Sequence, residues 1–467
     1  MSRSFLIGLC VTIFTIVLML VACGGRTNAT SQTAFVNVST SDPPTCSAPS
    51  GPYSHVFVTV TDVKIHTSAS AGSNDSGWVD LIPNLKNSPQ QMDLLSQAST
   101  ECFLAMLGSK TEIQAGSYQQ IRVFLAPDNT SISGNHCSSA PGNPANCVVL
   151  AADNSVHALN LASEAQSGLK IPSGQIAGGK FTIAAGETKD LDIDFNACAS
   201  IVASGSGQFI LKPVLHAGEV GLSSAINGTV IDSSTGKPIV GGTTVVALEQ
   251  QDAGVDRVML STLADANGNF ALCPVPAGTY DLVVAAVNGS GVFYSATVTS
   301  GVQASTAVGN IPLTPQPGSG ASAGPASLTG VVQTGGTSGA MAEIVALSAL
   351  QTISLNGSSV LVTIPLVQQS VATSNVVTAS GASCSGGFDC IDFTLAVPAV
   401  NAFVGSFIGS GTLYVQSTVG SYTVDGQPVP HADGTPVCGQ TDLMSNSLTV
   451  TPGNPFPVGT LSFTGCN

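Results

Sequence analysis

Apolar residues in this chain alternate with polar ones over short runs, and Gly, Asn, Asp and Pro break the runs at close intervals. A period of two places one set of side chains on a single strand face, so the pattern predicts many short, half-buried strands. Phe35-Val36-Asn37-Val38 starts the first. Over residues 55–66 the apolar set is Val56, Val58 and Val60 before it changes phase to Val63 and Ile65, which predicts a bulge near Thr61-Asp62. Ile121, Val123 and Leu125 alternate after the turn signal Ala115-Gly116-Ser117, and Leu191, Ile193 and Phe195 do so later. Residues 91–107 have room for a short helix. Tyr280, Leu282 and Val284 form one further strand face; 360–366, 391–397, 413–416 and 448–450 are also read as strands, with Asp425-Gly426 as a hairpin turn.

One segment breaks the pattern. From Phe5 to Leu20 the chain is apolar without alternation, Arg3 precedes it, and Leu20-Val21-Ala22-Cys23 closes it as a bacterial lipoprotein processing box. Residues 1–22 are then a signal peptide and Cys23 the thiol that receives the lipid. The competing readings are an ordinary signal peptide or a single membrane anchor. The run is short for a spanning helix, however, and it ends at Cys23-Gly24-Gly25 rather than at a basic cluster. Residues 23–33 serve as a small, polar tether. Gly24 stands where enteric lipoproteins retained at the inner membrane carry aspartate, which favours the outer membrane.

Composition narrows the class. Of 467 residues only 8% are charged, against about a quarter in a typical soluble protein. Gly, Ser, Thr, Val and Ala instead supply strand and turn chemistry. The length predicts several domains. A formal charge of −15, from 27 acidic and 12 basic residues, disfavours nucleic acid and anionic lipid as partners. Twelve cysteines less Cys10 and Cys23 leave an even number, which in an exported chain points to disulfides. Cys137 with Cys147 and Cys384 with Cys390 bracket short loops. Cys438 with Cys466 and Cys46 with Cys102 are further pairings, leaving Cys198 and Cys273 to join neighbouring domains or remain free thiols. Zinc is a poor reading without a Cys-x-x-Cys, and no cofactor is indicated.

Residues 34–219 resemble an uncharacterised lipoprotein domain family of unknown function through residues 55–63 (His-Val-Phe-Val-Thr-Val-Thr-Asp-Val), Trp78-Val79, Asp93-Leu94-Leu95, Ala115-Gly116-Ser117-Tyr118 with Ile121-Arg122, and Leu191-Asp192-Ile193-Asp194-Phe195. The resemblance implies a β-rich envelope domain and brings no catalytic residues. Residues 224–314 are similar to carboxypeptidase regulatory-like domains through Gly228, Thr235-Gly236 with Pro238, Asp265-Ala266-Asn267-Gly268-Asn269-Phe270, and Pro276-Ala277-Gly278-Thr279-Tyr280. That implies a transthyretin-like β-sandwich used as a structural or binding unit. In this stretch, Asn267-Gly268 supplies the positive φ angles of a tight hairpin. Residues 315–327 read as a Pro/Gly/Ser linker, and 328–467 as a second sandwich without a recognised family.

Candidate chemistry is sparse. Gly320-Ala321-Ser322-Ala323-Gly324 has the nucleophile-elbow spacing but lies in the linker, without the strand and helix an elbow needs. Asp190, Asp192 and Asp194 fall at period two, so they share a strand face and form a weak calcium candidate. A solvent-facing row is the preferred reading, since a flat face rarely wraps the ligands calcium requires. Asp265 to Asn269 reads as a turn, not an EF-hand loop. His55, His66, His136, His157, His216 and His431 show no metal or triad spacing.

The chain is therefore expected to be all-β, with tandem β-sandwich domains behind a lipoprotein signal peptide. It is expected to be a non-enzymatic binding, adhesion or structural protein of the envelope, with a carbohydrate or an envelope protein as ligand. The alternative is a carbohydrate- or peptide-active enzyme using two of Glu343, Asp389, Asp392, Asp425, Asp433 and Asp442. A solute-binding protein is disfavoured because no alternating strand and helix pattern is visible.

Overall fold

A computed structural model describes residues 33–41, 53–95, 105–161, 168–172, 175–176, 180–203, 208–211, 214–219, 224–252, 254–275, 277–318, 324–336, 339–340, 342–355, 357–381, 384, 386–409, 411–418, 420–430 and 435–467. The signal segment, Cys23, Cys46, Cys102, Ser322, His431, Asp433 and the side chain of Cys198 lie outside this description. Among the described residues the protein is nearly all β, and no helix is long and apolar enough to cross a membrane.

The N-terminal unit is a sandwich. Its four-stranded sheet runs in the order Val214–Glu219, Thr188–Asn196, Thr33–Ser41, Ala105–Gln114, with the middle pair parallel. The facing sheet is built around Tyr53–His66, whose partners include Gln120–Leu125 and Cys147–Leu150. Val56, Val58, Val63 and Ile65 from one sheet and Val36, Val38, Leu191 and Ile193 from the other enter a common core. The phase change has the expected cause: the register with Gln120–Leu125 slips between Val60 and Asp62. The expected helix is not found at either end of 91–107. Gln90–Asp93 hydrogen-bonds to Tyr53–His66 as a strand, and Ala105 already belongs to another, leaving 96–104 outside the described residues.

Beyond residue 224 a single eleven-stranded sheet joins strands from both sides of residues 315–327. Its centre is four strands of the regulatory-like stretch, in the order Thr297–Gln303, Thr279–Val287, Thr243–Asp252, Val255–Leu263. Strands from the C-terminal region add to both sides in parallel. Phe403–Ser406 pairs with Thr297–Gln303, and Ser358–Thr363 pairs with Val255–Leu263 through Val255↔Leu361 and Asp256↔Val362. Both faces of its four central strands are covered. Val245, Val283 and Val298 share a core with Leu328, Val332, Phe393 and Phe463 of the C-terminal region, whereas Val246, Leu282 and Val284 share another with Ile226, Val230, Phe270 and Ile311. Hence the run Val245-Val246-Ala247-Leu248 is buried without alternation, as in any strand packed on both faces.

Two turn expectations separate here. Gly268 has φ +79°, and a Cβ there would meet the Val230 carbonyl at 2.3 Å; Asp265 Oδ1 accepts from the amides of Asn267 and Asn269 at 2.8 Å each. Gly268, not Asn267, supplies the positive φ of that turn. Asp425 and Gly426, in contrast, lie inside the buried strand Tyr422–Pro428 rather than at a hairpin. A Cβ on Gly426 would come within 2.9 Å of Leu461 Cδ1, so the glycine lies against the core side chains. The 413–416 strand shrinks to Val415–Gln416, and 448–450 contributes only a bridge from Leu448 to Tyr422.

Disulfides join Cys137 to Cys147, Cys384 to Cys390 and Cys438 to Cys466. Cys273 is also disulfide-bonded, so it is not a free thiol, and its partner is none of those six.

Candidate functional site

The outer face of the long sheet and the N-terminal unit enclose a cavity of about 260 Å3. Strand register determines which side chains reach it. Ala346 pairs with Gln427 and with Asn375, and Ser348 pairs with Asp425, so these residues share a face, while Leu347 and Ala349 between them enter the core. Arg257, Met259 and Ser261 line the same cavity from the neighbouring strand Val255–Leu263, and Gln175 and His216 line it from the N-terminal unit.

His216 stands opposite Asp194 on adjacent strands, its Nδ1 3.8 Å from Asp194 Oδ2. Asp194 is 1% exposed, and neither of its oxygens accepts a hydrogen bond. Burial pushes its carboxyl up from the usual range, against the pull of the imidazole. Asp192, on the same face, is fully buried but better supported: Ser41 Oγ donates to it at 2.7 Å and Ser39 Oγ at 3.3 Å. Burial still pushes Asp192 up to about 7. The solvent-facing reading of this row therefore fails for Asp192 and Asp194, because what was read as an outer face is covered. Only Asp190 is exposed, its Oδ1 accepting from Asn37 Nδ2 at 2.6 Å.

Across the cavity Arg257 is held by two carboxylates. Its Nη1 donates to Asp425 and its Nη2 to Asp442 at 2.6 Å. With the Gln427 carboxamide turned so that its oxygen faces the guanidinium, it accepts from Nη1 and Nη2 at 3.1 and 3.2 Å. Burial, with the Asp442 carboxyl beside it, pushes Asp425 up to about 7 despite the guanidinium. Arg257 is thus neutralised, whereas the hydroxyls of Ser261 and Ser348 make no hydrogen bond among the described residues.

Of the carboxylates of the enzymatic alternative, Asp433 lies outside the described residues, and Asp425 and Asp442 do not form a working pair. Asp425 and Asp442 meet on one guanidinium, whereas glycosidase carboxyls flank a substrate at about 5–9.5 Å. Asp389 is buried and Asp392 exposed on the strand Asp389–Val397, away from Arg257. Among the described residues no group of three His, Cys, Asp or Glu side chains is placed to hold a metal ion.

Other histidines sit apart from the cavity. His55 Nδ1 lies 2.7 Å from Asp93 Oδ2, and the rings of His55, Phe57 and His136 stack in a row beside the Cys137–Cys147 bridge. His66 packs on Trp78, over which Arg122 lies at 5.2 Å. His157 Nε2 is 2.8 Å from Ser155 Oγ. Sequence reasoning missed His216 and Arg257. For His216 the available signal was the aspartate row opposite it; for Arg257 it was a cation at a strand centre in a chain with few of them.

Residues 33–213 match the model of a domain of unknown function (DUF4382), and residues 225–314 match that of a carboxypeptidase regulatory-like domain. The chain thus carries both domains expected from its motifs. No curated protein matches it. Among solved structures, the shaft pilin SpaA of Lactobacillus rhamnosus GG, in a double-mutant form, is 11% identical at a TM-score of 0.19, covering 62% of this chain and all of that one. The fimbrial anchor protein Mfa2 of Porphyromonas gingivalis is 8% identical at 0.17, covering 49% of this chain and 83% of its own. A DUF3823 family protein of Bacteroides uniformis is 12% identical at 0.15, covering 49% and 98%. At these TM-scores the likenesses support no functional argument.

Proposed function

We propose that this is a lipid-anchored protein of the bacterial envelope that works by binding: Cys23 carries the lipid, and the cavity between the N-terminal unit and the long sheet seats the ligand. The observation that carries this reading is the chemistry of the cavity wall. Its two ionisable side chains, His216 and Arg257, each face carboxylates, and the rest of its polar lining is amide and hydroxyl. Such groups orient and recognise a ligand, whereas acid–base or nucleophilic catalysis needs a poised donor and acceptor around a reacting atom. The processing box at Cys23 and the low charge of the chain agree with attachment at an envelope surface.

Two measurements test the reading. Palmitate labelling and membrane fractionation are expected to mark the wild type and not Cys23→Ser. A freely secreted, unlabelled wild type would remove the anchor. The mature chain carrying Cys23→Ser, fluorescently labelled and added to whole cells and envelope fragments, is expected to bind saturably. Absence of saturable binding would remove the binding role.

A further inference from the structure

We infer that the cavity takes the ring of a neutral saccharide; this rests on the binding role proposed above and names the ligand class. The argument is by charge and size. An anionic ligand would need an unsatisfied cation, yet Arg257 is held by Asp425, Asp442 and the Gln427 oxygen. His216 is backed by the buried Asp194 carboxyl, whose oxygens accept no hydrogen bond.

The groups that remain for a ligand are neutral. Ser261 and Ser348 offer hydroxyls, Gln175 offers an amide, and Met259 with Val371 supplies apolar surface for C–H groups. That mixture of donors and acceptors with small apolar patches matches a sugar ring, whose hydroxyls each give and take a hydrogen bond. A volume of about 260 Å3 falls below the roughly 300–1,000 Å3 of pockets for drug-sized ligands, so one ring enters and any longer glycan continues outside. His216 adds an imidazole to the same wall.

The test uses the full mature chain with Cys23→Ser against immobilised neutral glycans, uronic acid- or sialic acid-bearing glycans, and proteins extracted from envelope fragments. Ser348→Trp fills the cavity, and Gln427→Met serves as a second variant, with thermal unfolding recorded for both. The expected result is binding to neutral glycans that falls at least about tenfold in a variant that keeps its melting temperature. Binding only to acidic glycans or to protein, lost in Ser348→Trp, would overturn the saccharide assignment and leave the binding role standing. Neutral-glycan binding unchanged in both folded variants would overturn the cavity as the seat. No binding to any of the three would overturn both.

Discussion

Asp192 and Glu249, one in each half of this molecule, are buried by different means. In the N-terminal unit Asp192 is supported from the neighbouring strand, where the parallel register places Ser39 opposite it and Ser41 two residues along. In the long sheet Glu249 is fully buried opposite Asp281, with Asp256 on the next strand. Among the described residues its one donor is the amide of Thr363, more than a hundred residues away, which gives 3.0 Å to Oε2 and leaves Oε1 unpartnered. Burial raises Glu249 well above the ordinary glutamate range, and burial with Asp281 pushes Asp256 up to about 7. No Lys or Arg contributes to either shift, and Arg257 is committed to Asp425 and Asp442. A locally supported acid belongs to its own unit, whereas an acid capped across a seam makes two units depend on each other and on pH.

The largest effect is expected from breaking the covered sheet. Val283→Asp places a charge where the regulatory-like strands meet the C-terminal core, and should cost about 4 kcal/mol or more. Calorimetry should show the loss in the transition of residues 224–467 and not in that of the N-terminal unit. A loss confined to the regulatory-like stretch would mean that the two regions unfold independently. Next comes the bridge at the chain end. Replacing Cys438 and Cys466 by Ala should lower stability by about 3–4 kcal/mol on loop-closure grounds, read as a lower denaturant midpoint.

The seam acids should make stability depend on pH with a definite sign. Their folded pKa values are raised above the unfolded ones, so the folded state holds protons that the unfolded state releases. The contribution is full below about pH 4 and is lost as pH rises toward 7 and above. Glu249→Gln keeps the shape without the ionisation. Relative to the wild type it should gain stability between pH 5 and pH 8. Parallel pH profiles would show that Glu249 does not control the seam. The smallest effect is expected at the locally supported acid: Ser41→Ala should cost about 1–2 kcal/mol, in the N-terminal transition alone.

The same contrast explains what the sequence made legible. The period-two runs of the N-terminal unit and the slip near Asp62 were readable because those strands set one face against one core. The regulatory-like motifs were readable because turn chemistry at Gly268 is local. The seam was not, although Val283-Val284-Ala285-Ala286 carried its mark: an unbroken apolar run signals burial on both faces but does not say what covers the second. Asp192 and Asp194 were misread for a related reason, since alternation separates two faces without deciding whether either is wet. Asp425-Gly426 has the residues of a turn, and only the pairing with Ile344–Leu355 shows that both lie inside a buried strand. His216 and Arg257 come from distant segments, and folding alone brings them to one cavity.

The most direct measurement is native-state amide exchange on the intact mature chain, comparing the strand Thr243–Asp252 with the strand Ile344–Leu355. If the long sheet is one body across the linker, the slowest amides of both strands should open with the same free energy, within about 0.5 kcal/mol, and shift together with pH. Separate opening of Ile344–Leu355, with Thr243–Asp252 still protected, would contradict the continuous sheet and the cavity wall that depends on it.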